Sequence, residues 1–115
     1  MTEVNAPGET EAQRPPGRGS RVFEVFNPEY SVGVACALSG EIVGIHLGAE
    51  VWENDDAWLA AEILRVARLA HMKSQVGRRA SLLERGALPH VADARGLPTE
   101  SDYRLREKLE FGDGH

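Results

Sequence analysis

The chain of 115 residues contains one cysteine, Cys36, so no internal disulfide can hold it together. Long apolar runs are absent too. The longest stretch without a charge, Tyr30 to Gly40, falls far short of the roughly 20 apolar residues a membrane span needs. Positive charge is in deficit, with 13 Lys and Arg against 18 Asp and Glu, and a net charge of −5 argues against a general polyanion binder. No apolar h-region lies within residues 1–20, so no classical export signal is expected. These absences exclude a disulfide scaffold, a membrane-spanning protein and a large enzyme, and the length suits one small domain.

The usual marks of catalysis and metal binding are missing as well. His46, His71, His90 and His115 have no ligand spacing among themselves or with Cys36, so neither a metal nor another cofactor is expected. Glu50, Glu53, Asp55 and Asp56 lack the spacing and the glycine of a calcium loop. The serines have no nucleophile-elbow context, and no glycine-rich phosphate loop follows a strand. Cys36 alternates with Val32, Val34 and Leu38, which makes it a small core side chain, because a reactive thiol needs a base or a cation beside it. The sequence predicts a protein that is not an enzyme.

What is present begins at Arg21. Residues 1–20 hold three prolines and three glycines and few large apolar side chains, so they read as a flexible tail. Residues 21–86 read as a β-meander plus a long helix. Val22 to Phe26 is stopped by Asn27-Pro28; Ser31 to Leu38 alternates cleanly; Ser39-Gly40-Glu41 then turns into Ile42 to Leu47. Asn54 or Asp55 can cap a helix whose apolar stripe is Leu59, Ile63, Val66 and Ala70. A second stripe runs Leu69, Met72, Val76, Ala80 and Leu83, and the helix should end near Gly86. Gly77 inside it should weaken it by about 1 kcal/mol relative to Ala. Residues 87–115 read as a loop to residue 98, a Thr99-capped short helix from Glu100 to Phe111, and a tail. The expected class is α+β: a three-stranded antiparallel sheet, a long helix and a short C-terminal helix.

The sheet should then have one apolar face of Phe23, Val25, Val32, Val34, Cys36, Leu38, Val43, Ile45 and Leu47, for the helix to cover. Its other face, with Val22, Phe26, Gly33, Ala35, Ala37, Ile42 and Gly44, is flat and not polar, unlike the solvated side of an antiparallel sheet. A core of this size seldom supplies more than about 3–5 kcal/mol. A homodimer, or a constitutive protein partner, is therefore expected on that second face, the alternative being that the C-terminal segment folds back over it. Trp52 and Trp58 flank the helix start, either stapling it to the sheet or anchoring a partner.

Charge is divided along the chain. Residues 21–60 carry one Arg and seven acids, whereas residues 61–87 carry six bases and two acids. A helical wheel sets Arg68, Arg78 and Arg79 on one face, with Arg65 at its edge, a pattern that could track nucleic-acid phosphates. The bland alternative is a solvated helix face.

Several of these residues together resemble a known family. The runs Phe23-x-Val25-x-Asn27-Pro28, Val32-x-Val34 and Gly40-x-Ile42-x-x-Ile45-x-Leu47 are similar to those of the EspD/EspH family of type VII (ESX) secretion-associated proteins. The likeness continues through Ala49-x-Val51 and is strongest at Leu59-Ala60-x-Glu62-Ile63-Leu64. It extends through Ala67, Leu69-Ala70, Lys73, Gln75 and Gly96-Leu97-Pro98. The resemblance implies a non-enzymatic, chaperone-like or stabilising partner of a secreted substrate, acting in the cytoplasm, with export by a type VII system as a further expectation. The family's long acidic N-terminal extension has no counterpart, which would make the chain a shorter paralogue. The family core is in turn similar to the dimeric YbaB/EbfC nucleoid-associated fold, which implies the alternative function, DNA binding through Arg65, Arg68, Arg78 and Arg79. That fold's N-terminal helix is not expected from residues 1–20. Tyr103-x-x-x-Glu107 also fits the Tyr-x-x-x-(Asp/Glu) pattern of type VII export signals, and otherwise Tyr103 is a packing residue on the last helix.

Overall fold

The β-branched and aromatic run Val22–Phe26 forms strand β1, Val32–Ala37 forms β2 and Ile42–Leu47 forms β3. The computed structural model describes residues 21–112, so the tail expected over residues 1–20 lies outside the described residues, as does His115. The strands make an antiparallel sheet in the order β1-β2-β3. A short 3-10 helix, Ala49–Glu53, tucks Val51 into the core before the long helix α1, Asp56–Glu84. Of the two expected caps, Asp55 does the work: its carboxylate accepts from the Trp58 amide at 2.8 Å. Gly86, at φ 100°, follows the helix end in the left-handed region that glycine tolerates.

The segment expected as a loop over residues 87–98 differs. Pro89–Ala94 forms a helix, α2, with its proline at the first turn, where no amide donor is needed. Six residues are too few for hydrophobic periodicity to reveal. The last helix, α3, spans Glu100–Phe111 and carries a capping box in which Thr99 and Asp102 satisfy each other's backbone amides. Thr99 holds Asp102 below the usual carboxylate range by those hydrogen bonds.

Helix α1 packs on β1 and β2, and α2 and α3 pack on α1. The core is Val25, Val32, Val34, Cys36, Val51, Val66, Leu69, Ala70 and Tyr103, with Trp58, Leu59 and Ile63 packed around it. Cys36 is fully buried, and burial pushes its thiol up. The most deeply placed positions of α1 are not all apolar: Glu62, Ser74, Gly77 and Ser81 join Val66, Leu69 and Ala70. Gly77 is there for close approach, because a Cβ would overlap the ring of Phe23. Both serines are small, and Ser74 returns its hydroxyl to the His71 carbonyl at 2.6 Å.

A buried polar network joins the first turn to the helices. The Asn27 side chain donates to Glu62 Oε2 at 2.9 Å and to Ser31 Oγ at 3.0 Å. Its carbonyl accepts from the Ser31 and Val32 amides at 2.9 and 3.1 Å. Arg65 donates to Glu62 Oε1 at 2.6 Å and to the Glu110 carbonyl at 2.8 Å, and its guanidinium lies over the Phe111 ring.

Two stability outcomes follow. Gly77→Ala should gain about 1 kcal/mol of helix propensity but lose about 1–3 kcal/mol through overpacking against Phe23. The urea midpoint should therefore fall, and a rise would show that Phe23 moves aside freely. Asn27→Ala removes four hydrogen bonds and leaves one oxygen of the buried Glu62 carboxylate without its donor, so it should cost about 3 kcal/mol. Asn27→Asp, close in shape but charged against Glu62, should be at least as damaging by the same denaturation measurement.

Candidate interaction surface

Strand β3 is exposed along its whole length. Ile45 and Leu47 stand opposite Val34 and Val32, and directly opposed residues share a sheet face. They therefore lie on the side α1 packs against, as expected, yet they keep 53% and 42% of their surface exposed because α1 sits over β1 and β2. A register shift between Ala35 and Cys36 alters the strand's start: Gly44 pairs with Ala35, and Ile42, not Val43, pairs with Cys36. This corrects two placements. Ile42 leaves the register of the small-residue face, and Val43 leaves the row of helix-facing residues as the extra residue of the bulge. Val43 is exposed as well.

The two sheet edges differ chemically. On β1 the charged Glu24 lies mid-strand and its carbonyl accepts from Lys73 Nζ at 3.1 Å. Residues 42–47 carry no charged side chain. An edge strand without charge, proline or cover readily pairs with another strand.

The opposite sheet face is partly closed by its own residues. Phe26, Gly33 and His46 form a cross-strand row, and the Phe26 ring lies against Gly33 so closely that a Cβ there would collide with it. Phe26 also meets Tyr30 and His46, each with ring centroids 5.6 Å apart. Ala35 is buried and Ala37 half-buried, whereas Val22 and Gly44 are exposed. The C-terminal helices pack on α1 and leave Val22, Gly44 and His46 open.

The two tryptophans take different places. Trp58 packs against the core, and Trp52, on the 3-10 helix, is 78% exposed. The four arginines of the nucleic-acid pattern are also divided. Arg65 is committed to Glu62 and α3, and Arg79 to Asp93 at 2.7 Å and the Leu97 carbonyl at 3.0 Å. Arg68 is exposed, and Arg78 lies beside Gly40. The internal pairing draws on Asp93 and on backbone carbonyls distant in sequence, which a helical wheel does not display. Among the described residues no three His, Cys, Asp or Glu converge as a metal site, and no helix is long and apolar enough to cross a membrane.

Tyr103 and Glu107 lie one helical turn apart on α3, with the phenol donating to Glu107 Oε2 at 3.4 Å. Tyr103 is buried in the core. Burial first, then the Glu107 carboxylate, pushes its phenol well above the ordinary value of 10. The folded pKa is raised, so this group's contribution to stability is intact below pH about 10 and is lost as the pH climbs above it. In Tyr30→Phe, Tyr103 is the one remaining tyrosine. Its tyrosinate absorbance should rise, on alkaline titration, only as the circular dichroism of the fold is lost. Ordinary titration near pH 10 with the fold intact would place the ring outside the core.

No family model and no solved structure matches the chain. Over 64 residues, 56% of its length, the chain is 38% identical to the ESX-1 secretion-associated protein EspD of Mycobacterium tuberculosis, in strains CDC 1551 and H37Rv alike. That stretch is 35% of the relative, so the chain spans about a third of the length of the curated relatives it matches. The resemblance to EspD-like proteins is met by a direct sequence match, whereas the likeness to a YbaB/EbfC core has no counterpart among these comparisons.

Proposed function

We propose that this protein serves type VII secretion as a non-enzymatic, chaperone-like binding partner of a secreted protein or secretion component, and that it self-associates through β3. The observation that carries the binding role is the uncovered strand: Ile42, Val43, Ile45 and Leu47 form an exposed, uncharged apolar edge. The similarity to a protein named for ESX-1 secretion supplies the context. An exposed strand recruits a partner by β-augmentation, in which main-chain hydrogen bonds give affinity and alternate side chains give selectivity. In a second copy the same strand is available, and antiparallel β3–β3 pairing about a two-fold axis would give one continuous sheet, in competition with a client for that edge. Trp52, beside the end of β3, offers a client the kind of large exposed anchor that carries binding energy. The expected place of action is the cytoplasm, with export by the same system as a second station.

Two measurements test the parts separately. Ile45→Lys places a charge at a position already 53% exposed, so folding should be unaffected. Light scattering should give a dimer mass for the wild type and a monomer mass for the variant. A monomeric wild type, or a dimer indifferent to this change, would remove the self-association. Purification from the native cells should recover an ESX-associated protein, and less of it with Trp52→Ala. Recovery of nucleic acid alone across a range of salt concentrations would defeat the secretion reading.

A further inference from the structure

A cavity of about 600 Å³ opens where the β2–β3 turn, the last third of α1 and the turn after α2 meet. Three guanidinium-bearing residues line it, Arg78, Arg85 and Arg95, together with Ser39 and Ser81, and no carboxylate does. Arg79, next in the chain, shows the contrast, since Asp93 neutralises it. Among the described residues none of the three lining arginines has an ion-pair partner. Arg85 is steadied by donating to Ser81 Oγ at 2.9 Å. Arg78 Nε is buried without any hydrogen-bond partner, which a protein seldom leaves standing. Leu38, Leu82 and Leu97 complete the lining, giving the cationic wall an apolar floor.

We propose that this cavity binds a small phosphate monoester, with its phosphate among Arg78, Arg85 and Arg95 and an apolar or aromatic body on the leucines. The charge decides between phosphate and carboxylate. A carboxylate brings one negative charge and two oxygens, whereas an ionised phosphate monoester brings about −1.5 to −2 and three acceptor oxygens. Three unneutralised guanidiniums match the second, and their planar forks suit its geometry. The volume lies within the roughly 300–1,000 Å³ of ordinary small-molecule sites. The site lies at the opposite end of α1 from Trp52 and does not depend on the secretion role.

The test is calorimetric titration of the full chain with phenyl phosphate, inorganic phosphate, benzoate and a short single-stranded oligonucleotide. Phenyl phosphate should bind one to one and more tightly than inorganic phosphate. Its affinity should rise as the pH passes about 6, where the second phosphate proton leaves. Arg95→Gln, an exposed position, should weaken it at least tenfold, as should Arg85→Gln, whereas Arg104→Gln on α3 should not. Benzoate binding equally well would overturn the choice of phosphate. Absence of saturable binding, binding indifferent to Arg85→Gln and Arg95→Gln together, or binding of the oligonucleotide alone would each overturn the site.

Discussion

A buried carboxylate is the constraint around which this fold is arranged. Glu62 is 5% exposed, and a polar group buried there is costly unless each of its oxygens meets a donor. Asn27 supplies one and Arg65 the other. Each donor is fixed in turn. Asn27 is held by the turn it closes, and Arg65 by the end of α3. One side chain thus couples the β1–β2 turn, the first half of α1 and the C-terminal helix, and the Asn-Pro turn is part of the core's chemistry as well as a stop to a strand.

The same network explains why β3 is left open. The Asn27–Glu62 bond draws the first half of α1 toward the β1–β2 turn. Phe23, lying where Gly77 has no side chain, and the Lys73–Glu24 contact hold the second half over β1. A single helix anchored at three places on that side cannot also cover the third strand, since a helix about 10 Å across spans only about two strands set roughly 4.8 Å apart. Ile45 and Leu47 face the right side of the sheet and still find no cover. Their exposure is a result of helix position, not of strand polarity.

This is also where the sequence stops being legible. Strands β1 and β3, the Asp55 and Thr99 caps and the final helix are readable because each rests on local chemistry: alternation, a turn pair or a cap spacing. The buried stripe of α1 is harder, because Glu62, Ser74, Gly77 and Ser81 sit inside for reasons of pairing and close approach that hydrophobic periodicity counts as polar or neutral. The register shift at Val43 is harder to read: one extra residue moves Ile42 into register with Cys36 and leaves Val43 unpaired, and the adjacent Gly44 marks a bulge without fixing its register. The candidate surface was therefore half visible. Its residues stand out as apolar, but the assignment of Val43, Ile45 and Leu47 to the covered face assumes a centred helix.

The arginines show the same dependence on packing at long range. A helical wheel treats Arg65, Arg68, Arg78 and Arg79 as one cationic face. Folding removes Arg65 to the core network and Arg79 to the α1–α2 connection, so the face does not survive as a unit. What remains near the end of α1 is a different set, Arg78, Arg85 and Arg95, assembled from α1 and the end of the next helix in the chain and lacking any acid among them. The net charge of −5 is a poor guide to such a place, because it sums an acidic sheet region and a basic helix end that never neutralise each other locally. Charge that is spread on a surface is screened over roughly 8–10 Å. Charge gathered on a concave wall acts at contact distance, so the three guanidiniums that the fold leaves unpaired carry more chemical consequence than the acidic surplus around them.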